Sequence, residues 1–505
     1  MGTITYRANL SAKSIPLLSE SFGRSVIVPD KDQNFNRQVT ATEDSDKDIG
    51  IPQVYYCHNV MPTAQGLQSV GYDPVTPAVP DELGFKSIYI IRDASENKAY
   101  FAHTDEGFNY VQEVGETTWK KINDVAATGL VSVAFVSGVT YIYFEKVGCY
   151  KYDFTTELLV AVPLTGVTAA NLIGVTGAAG YLITWTETEI AWSSTIDPTD
   201  FVPSIVTGAG GGQVEGAKGK LTIIVTNFLG VIIYTTNNAV AAVYSGNSRY
   251  PFNFREIIGA GGVANLELVA ATTGNQYAYT TSGLQIVSSQ NSQTVFPEIT
   301  DFVAGEYFED FDEDTLTFST QITVAPMKKK LTVVSDRYMI MSYGVDSLTH
   351  AIVYDIAQKR FGKLKFPHVD CFELELLAPE VVETPRKSIG FLQADGTIKS
   401  VNFSVTSQFS SGVALCGKYQ FIRSRLLTLE SIMLENVRAG ANFNLYDFYT
   451  LDGKNDIRAR ATLKTNRNLY REYNIHKTGV NHSLLFTGAF YLVSLVLEFH
   501  VNGRR

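Results

Sequence analysis

What most constrains this chain is a long succession of short, alternating strands with almost no helical periodicity between them. They begin near residue 83 and run to about 405. Segments 87–91, 99–104 and 108–114 are followed by 131–136, 139–144 and 149–154, with Ser137-Gly138 as a tight hairpin turn. The theme returns at 180–186 and 189–194, and again at 221–227, 230–236 and 239–245. It continues at 276–281, 283–289, 330–336, 338–344, 351–356, 388–393 and 397–403. Apolar side chains recur at a period of two, and turn residues punctuate the runs, so each run reads as a strand. Three or four strands per unit, loosely repeated, predict an all-β fold: a β-propeller of about six or seven blades at roughly 45–55 residues per blade. No WD or kelch signature fixes the blade number, and an array of β-sandwiches is the competing architecture.

The flanks have a different texture. Residues 1–82 carry scattered Pro, Gly and charge, which predicts an extended N-terminal arm rather than a core of its own. Residues 406–505 regain strand alternation at 424–437 and end in a strongly apolar strand at 490–501. A β-sandwich-like platform domain is expected there, with the arm as part of it, beside a propeller over 83–405. The 505 residues are 45% hydrophobic and 18% charged, enough apolar material for a large core and too much for global disorder.

Charge narrows the function classes. A formal net charge of −10 disfavours a simple electrostatic nucleic-acid binder, because phosphate affinity comes from clustered Lys and Arg. It remains compatible with touching DNA without gripping it. Cys57, Cys149, Cys371 and Cys416 lie far apart with no C-x-x-C spacing, which predicts buried reduced thiols. The N-terminus has no secretory h-region, and the apolar run 488–497 is shorter than the roughly 20 residues of a membrane helix. A soluble protein without a membrane span is expected.

Each motif that suggests chemistry fails at a named position. Gly259-Ala260-Gly261-Gly262-Val263-Ala264 satisfies G-x-G-x-x-A, but the stretch after it re-enters strand texture, and no acid stands near the ribose position. A glycine-permitted loop between blades is the better reading. The Gly-rich run at 208–220 lacks Walker spacing. Asp310-Phe311-Asp312-Glu313-Asp314 opens like an EF-hand, yet Thr315 and Gln321 stand where glycine and a bidentate glutamate are needed; Asp44, Asp46 and Asp48 fail likewise at Ile49 and Tyr55. The seven histidines show no metal-ligand grouping, and no G-x-S-x-G elbow exists. No catalytic, cofactor or metal site is expected, and no enzymatic activity. The segment 103–110 approximates an Asp-box, a hairpin-folding turn that speaks for propeller architecture.

Two charged segments stand out. Between 301 and 320 there are seven acids and no bases; Glu306, Glu309, Asp310, Asp312, Glu313 and Asp314 make a candidate acidic lumen or interface. Lys454, Arg458, Arg460, Lys464, Arg467, Arg471 and Lys477 fall within 24 residues, with Tyr470 and Tyr473 among them. These bases read as a solvated hairpin edge that blocks aberrant pairing, as a subunit interface against the acidic segment of a neighbour, or as a contact to DNA phosphates.

Three stretches together resemble the tail nozzle (packaged-DNA stabilisation) proteins of short-tailed bacteriophages. Asn59-Val60-Met61-Pro62-Thr63-Ala64-Gln65-Gly66-Leu67, ending at Gly71, is similar to that family's N-x-x-P-T-x-x-G-L-x-x-x-G, with Val70 where an arginine is common. Ile190 to Phe201 resembles its strand followed by a D-P-T-x-[FW] turn. The Gly-rich 258–264 loop, followed by a strand, Thr281-Ser282-Gly283-Leu284 and another strand, is the third. The resemblance implies a homo-oligomeric ring of six copies in the virion tail, assembled in the host bacterial cytoplasm. It would sit below a head-to-tail adaptor, retain and then conduct genomic double-stranded DNA through transient contacts, and anchor tail spikes or fibres. The competing expectations are a glycan-binding or sialidase-like tail propeller and a cellular propeller scaffold for protein partners.

Overall fold

The alternation resolves into seven four-stranded antiparallel blades, six of them separate sheets and one part of a ten-stranded sheet. The structure is a computed structural model that describes residues 3–6, 54–63, 67–79, 84–125, 127, 129–227, 230–247, 250–296, 308–312, 317–321, 328–376, 386–402, 412–416, 425–436, 442–450, 456–464, 470–479 and 481–504. Blade 1 is Phe85–Arg92, Lys98–Thr104, Asn109–Glu113 and Lys120–Lys121. Blade 2 is Val131–Val136, Val139–Phe144, Gly148–Asp153 and Leu158–Val162; blade 3 is Gly174–Ala178, Tyr181–Trp185, Glu189–Trp192 and Gly210–Gln213. Blade 4 is Leu221–Asn227, Gly230–Thr235, Ala239–Tyr244 and Phe252–Glu256; blade 5 is Val269–Ala271, Gln276–Thr280, Gly283–Val287 and Ser292–Thr294. Blade 6 is Lys328–Val334, Tyr338–Gly344, Leu348–Asp355 and Arg360–His368. Blade 7 takes Asp370–Leu376, Arg386–Leu392 and Ile398–Asn402 from the end of the run and its fourth strand, Gly71–Thr76, from the N-terminal arm.

The hydrophobic cores show that this row of sheets closes. Blades 1 and 2 share one buried cluster, 2 and 3 the next, and so on through 6 and 7. A further cluster joins Phe372, Leu374 and Leu392 of blade 7 to Phe85, Ile88 and Tyr100 of blade 1. An open stack of seven sheets would have six such interfaces; seven make a ring. The fold is a seven-bladed β-propeller. Each blade buries both faces, which is why its inner strands read as near-continuous apolar runs, and each fully buried aromatic or aliphatic side chain contributes on the order of 2 kcal/mol.

Turn chemistry fits the pleat. Ser137 and Gly138 both take left-handed φ angles, 51° and 79°, the pair that a two-residue hairpin needs to match strand twist. Gly138 is doubly constrained, because a Cβ there would lie 2.7 Å from that of Ala94. The Asp-box-like segment forms the second hairpin of blade 1, where the Phe108 amide donates to the Thr104 hydroxyl at 3.0 Å.

Outside the ring, besides a two-stranded pair, lie a five-stranded sheet and the strands that extend the sheet of blade 6. One runs Val54–His58, Gly412–Cys416, Asn481–Gly488, Asn442–Thr450, Asp456–Lys464. The other runs Val60–Pro62, Leu67–Ser69, Tyr491–Arg504, Arg425–Asn436, Tyr470–Gly479, with Thr3–Tyr6 also on Tyr491–Arg504. The chain steps from the first sheet to the second at Asn59 and again at 489–490, the corners by which strands change layers in packed β-structures. Val60 pairs with Lys363 of blade 6, so the second sheet is continuous with the propeller.

The arm therefore serves both bodies. Residues 54–58, 60–62 and 67–69 belong to the outer sheets and 71–76 close blade 7. Asn59 holds the corner: it is buried with φ 50°, its carbonyl accepts from the Val70 amide at 2.9 Å, and its Oδ1 accepts from the Tyr72 hydroxyl at 2.9 Å and the Lys365 amide at 3.0 Å.

Candidate functional site: the axial cleft

The innermost strand of each blade runs along the propeller axis, and the space they leave is narrow. A cavity of about 330 Å³ sits there, walled by Tyr89, Val131, Thr176, Thr226, Val269 and Lys330 from blades 1 to 6. It opens on the face where the innermost strands begin. There it adjoins a chamber of about 500 Å³ beside blades 5, 6 and 1, and another of about 780 Å³ beside blades 2 to 5. A DNA duplex, whose major groove alone is about 12 Å across, cannot pass such a space. Small ligands of a few hundred Å³ can enter it.

Charge concentrates on the blade 6 side. Lys328, Lys329 and Lys330 begin the innermost strand of blade 6, and Lys86 begins that of blade 1. Lys86 pairs with Asp105 at 3.3 Å, and Lys330 with the buried Asp370 at 2.8 Å and with Glu267 at 3.9 Å. Burial alone would lower the Lys330 ammonium, but the Asp370 carboxylate, helped by Tyr89 and Glu267, outweighs it and raises its pKa. Burial likewise raises the Tyr89 phenol, opposed by Lys330, while its hydroxyl donates to the Val131 carbonyl at 2.8 Å. Lys329 is half-buried over the ring of Tyr279, 4.9 Å from its centroid, and burial lowers its pKa. Among the described residues, no carboxylate lies within ion-pair distance of Lys328 or Lys329.

The charged segments singled out in the sequence lie elsewhere. Glu309, Asp310 and Asp312 are on Phe308–Asp312, which pairs with Thr317–Gln321 as a two-stranded excursion between blades 5 and 6; Glu306, Glu313 and Asp314 lie outside the described residues. The basic run is not one hairpin. Arg458, Arg460 and Lys464 are on Asp456–Lys464, the edge of one outer sheet, whereas Arg471 and the exposed Lys477 are on Tyr470–Gly479, the edge of the other. Lys454 and Arg467 lie outside the described residues, as do Asp44, Asp46 and Asp48. Edge strands rich in bases resist unwanted strand pairing.

The Gly-rich loop at 257–264 has its amides engaged within the fold. Gly261 donates to Gln285 Oε1 at 3.0 Å, Gly262 to the Thr281 hydroxyl at 3.2 Å and Val263 to the Thr235 carbonyl at 3.0 Å. A Cβ on Gly262 would lie 2.1 Å from the Thr236 carbonyl oxygen, so close backbone packing between blades 4 and 5 explains this glycine. In the D-P-T turn, Asp197 accepts from the Thr199 amide and hydroxyl at 2.9 and 2.8 Å, and Phe201 is buried in the core between blades 2 and 3.

The Lys328–Lys330 triplet, Glu267 and Asp370 carry the cleft, and sequence reasoning passed over them. Three consecutive lysines in an acidic chain were the available signal. Their convergence with Glu267 and Asp370 depended on ring closure, which no local pattern contains.

No protein-family model matches the chain, and no curated protein matches it in sequence. Among solved structures it is similar to BamB from Moraxella catarrhalis, at 7% identity and TM-score 0.38 over 71% of this chain and 99% of that one. It is also similar to the Neurospora crassa Pan2 WD40 domain, at 8% identity and TM-score 0.39 over 69% of this chain and 99% of that one. The WD40 β-propeller domain of Doa1 matches at 8% identity and TM-score 0.37, over 66% of this chain and 98% of that one.

Proposed function

We propose that this chain is a structural virion protein, the repeating subunit of a ring-shaped tail nozzle that retains packaged DNA, conducts it at ejection and anchors spikes or fibres. The observation that carries the reading is where the nozzle-like motif falls. Its described residues, 59–63 and 67–71, form the joint itself: they turn the corner between the two outer sheets, add to blade 6 and lead into the strand that closes blade 7. A wall subunit must transmit load between its parts, and a joint built from strand pairing and buried hydrogen bonds does so without a flexible linker.

The axial cavity sets a condition on this reading. Since a duplex cannot thread one propeller, the conduit must be enclosed by several copies, and the net charge of −10 per chain favours passage over retention by phosphate contacts. Light scattering with negative-stain microscopy of the purified chain, alone and with its adaptor, tests it. A closed ring with a central opening is expected; a chain that stays monomeric with the adaptor present overturns it.

A further inference from the structure

We propose that the axial cleft is a binding site for a hydroxylated organic acid of monosaccharide size, its acid group on Lys329 and its hydroxyls in the axial cavity. This site is independent of the ring: a monomer could bind, and a ring could fail to.

The cleft has two chemically different ends. At the outer end Lys329 is half-buried on Tyr279, on the blade 5 face of its strand, and no carboxylate lies within ion-pair distance of it among the described residues. A half-buried ammonium over an aromatic face gains from an anion arriving on its open side. The neighbouring lysines do not offer this, because Asp105 holds Lys86, and Asp370 with Glu267 holds Lys330.

At the inner end the wall presents hydroxyls and an acceptor. Thr176 and Thr226, from blades 3 and 4, lie 3.3 Å apart, and the Ser132 hydroxyl already accepts from the Val175 amide at 2.9 Å and can still donate. Glu267 borders both the cavity and the outer chamber, placed to accept from a ligand hydroxyl between the two ends. An inorganic anion would satisfy only Lys329, and a neutral sugar only the hydroxyls. A carboxylated sugar satisfies both.

Calorimetric titration of the full chain with glucuronate, glucose and sulfate tests the assignment. Glucuronate is expected to bind saturably at millimolar concentration or better, with glucose and sulfate at least about tenfold weaker. Lys329→Ala should weaken glucuronate about tenfold, and Thr226→Val severalfold, with thermal midpoints by circular dichroism within a few degrees of the parent. Absence of saturable glucuronate binding overturns the site. So does equal binding of glucose or sulfate, or unchanged affinity in a folded Lys329→Ala variant.

Discussion

Lys330 of blade 6 and Asp370 of blade 7 meet at 2.8 Å beside the propeller axis, and the same carboxylate reaches blade 1. Asp370 Oδ2 accepts from the Ile88 amide at 3.0 Å, while Oδ1 accepts from the Cys371 amide at 2.7 Å. One side chain thus ties together three blades at the place where the ring closes. Removing one partner of a buried pair costs about 3–5 kcal/mol, because the other is left uncompensated. Asp370→Asn is expected near the lower end of that range, and Lys330→Met less, since Asp370 keeps its two backbone donors. In urea unfolding the double variant should cost less than the sum of the singles; simple additivity would show that the pair is not coupled.

Acid should weaken the blade 6–7 region through its histidines. His368 is buried, its Nδ1–H donating to the Phe366 carbonyl at 2.6 Å and its Nε2 accepting from the Ser342 hydroxyl at 2.7 Å. Burial pushes its pKa down from 6.5 to about 4, with Lys330 acting in the same direction against the Phe366 carbonyl. His350 is depressed as well, by burial and then by Lys363, Lys365, His58 and His368. A folded pKa below the unfolded one means that the unfolded chain takes up the proton first. Stability is therefore full above pH 6.5 and falls as pH drops toward about 4, by on the order of 3 kcal/mol for His368. Unfolding free energies across this window should show a shallower slope in His368→Gln; an unchanged slope would remove His368 as a contributor.

The joint between the arm and blade 6 leaves no room for a methyl group. A Cβ on Gly362 would lie 2.4 Å from the Val60 carbonyl oxygen and 2.8 Å from Pro62 Cδ. Gly362→Ala should destabilise by about 1–3 kcal/mol or more and speed proteolysis of the arm. Asn59→Gly keeps the left-handed backbone but loses the acceptor for Tyr72 and Lys365, so a loss of about 1–3 kcal/mol is expected. Thermal midpoints with limited trypsin digestion check both; a parent-like Gly362→Ala would mean that the arm does not pack on blade 6 in solution.

Thiol chemistry gives a direct readout of burial. Cys57, Cys149 and Cys371 are free and buried, and burial pushes the Cys57 thiol up to about 11 and Cys149 to about 12. The thiolate is the nucleophile, so these three should label with a maleimide or a disulfide reagent only on unfolding. Mass-spectrometric mapping of adducts at pH 8, native against urea-unfolded, checks this. Rapid native labelling of Cys149 would contradict its place between blades 2 and 3.

What the sequence by itself determined is local. Alternation of period two, with turns such as Ser137-Gly138, specified strands and hairpins, because side-chain direction and left-handed φ are properties of a few adjacent residues. That made the all-β propeller class readable and bounded the blades at six or seven. The seventh blade was hidden because its fourth strand, Gly71–Thr76, lies over three hundred residues from its partner Ile398–Asn402. No window of sequence contains that pairing. The two charged segments show the same limit: composition marked them, but sheet order put the described bases on edges of two different sheets and left Glu309, Asp310 and Asp312 on a separate excursion. The axial cleft belongs wholly to tertiary structure. Lys330, Glu267 and Asp370 become neighbours only when seven sheets close, since a ring alone brings the innermost strands of distant blades to one axis.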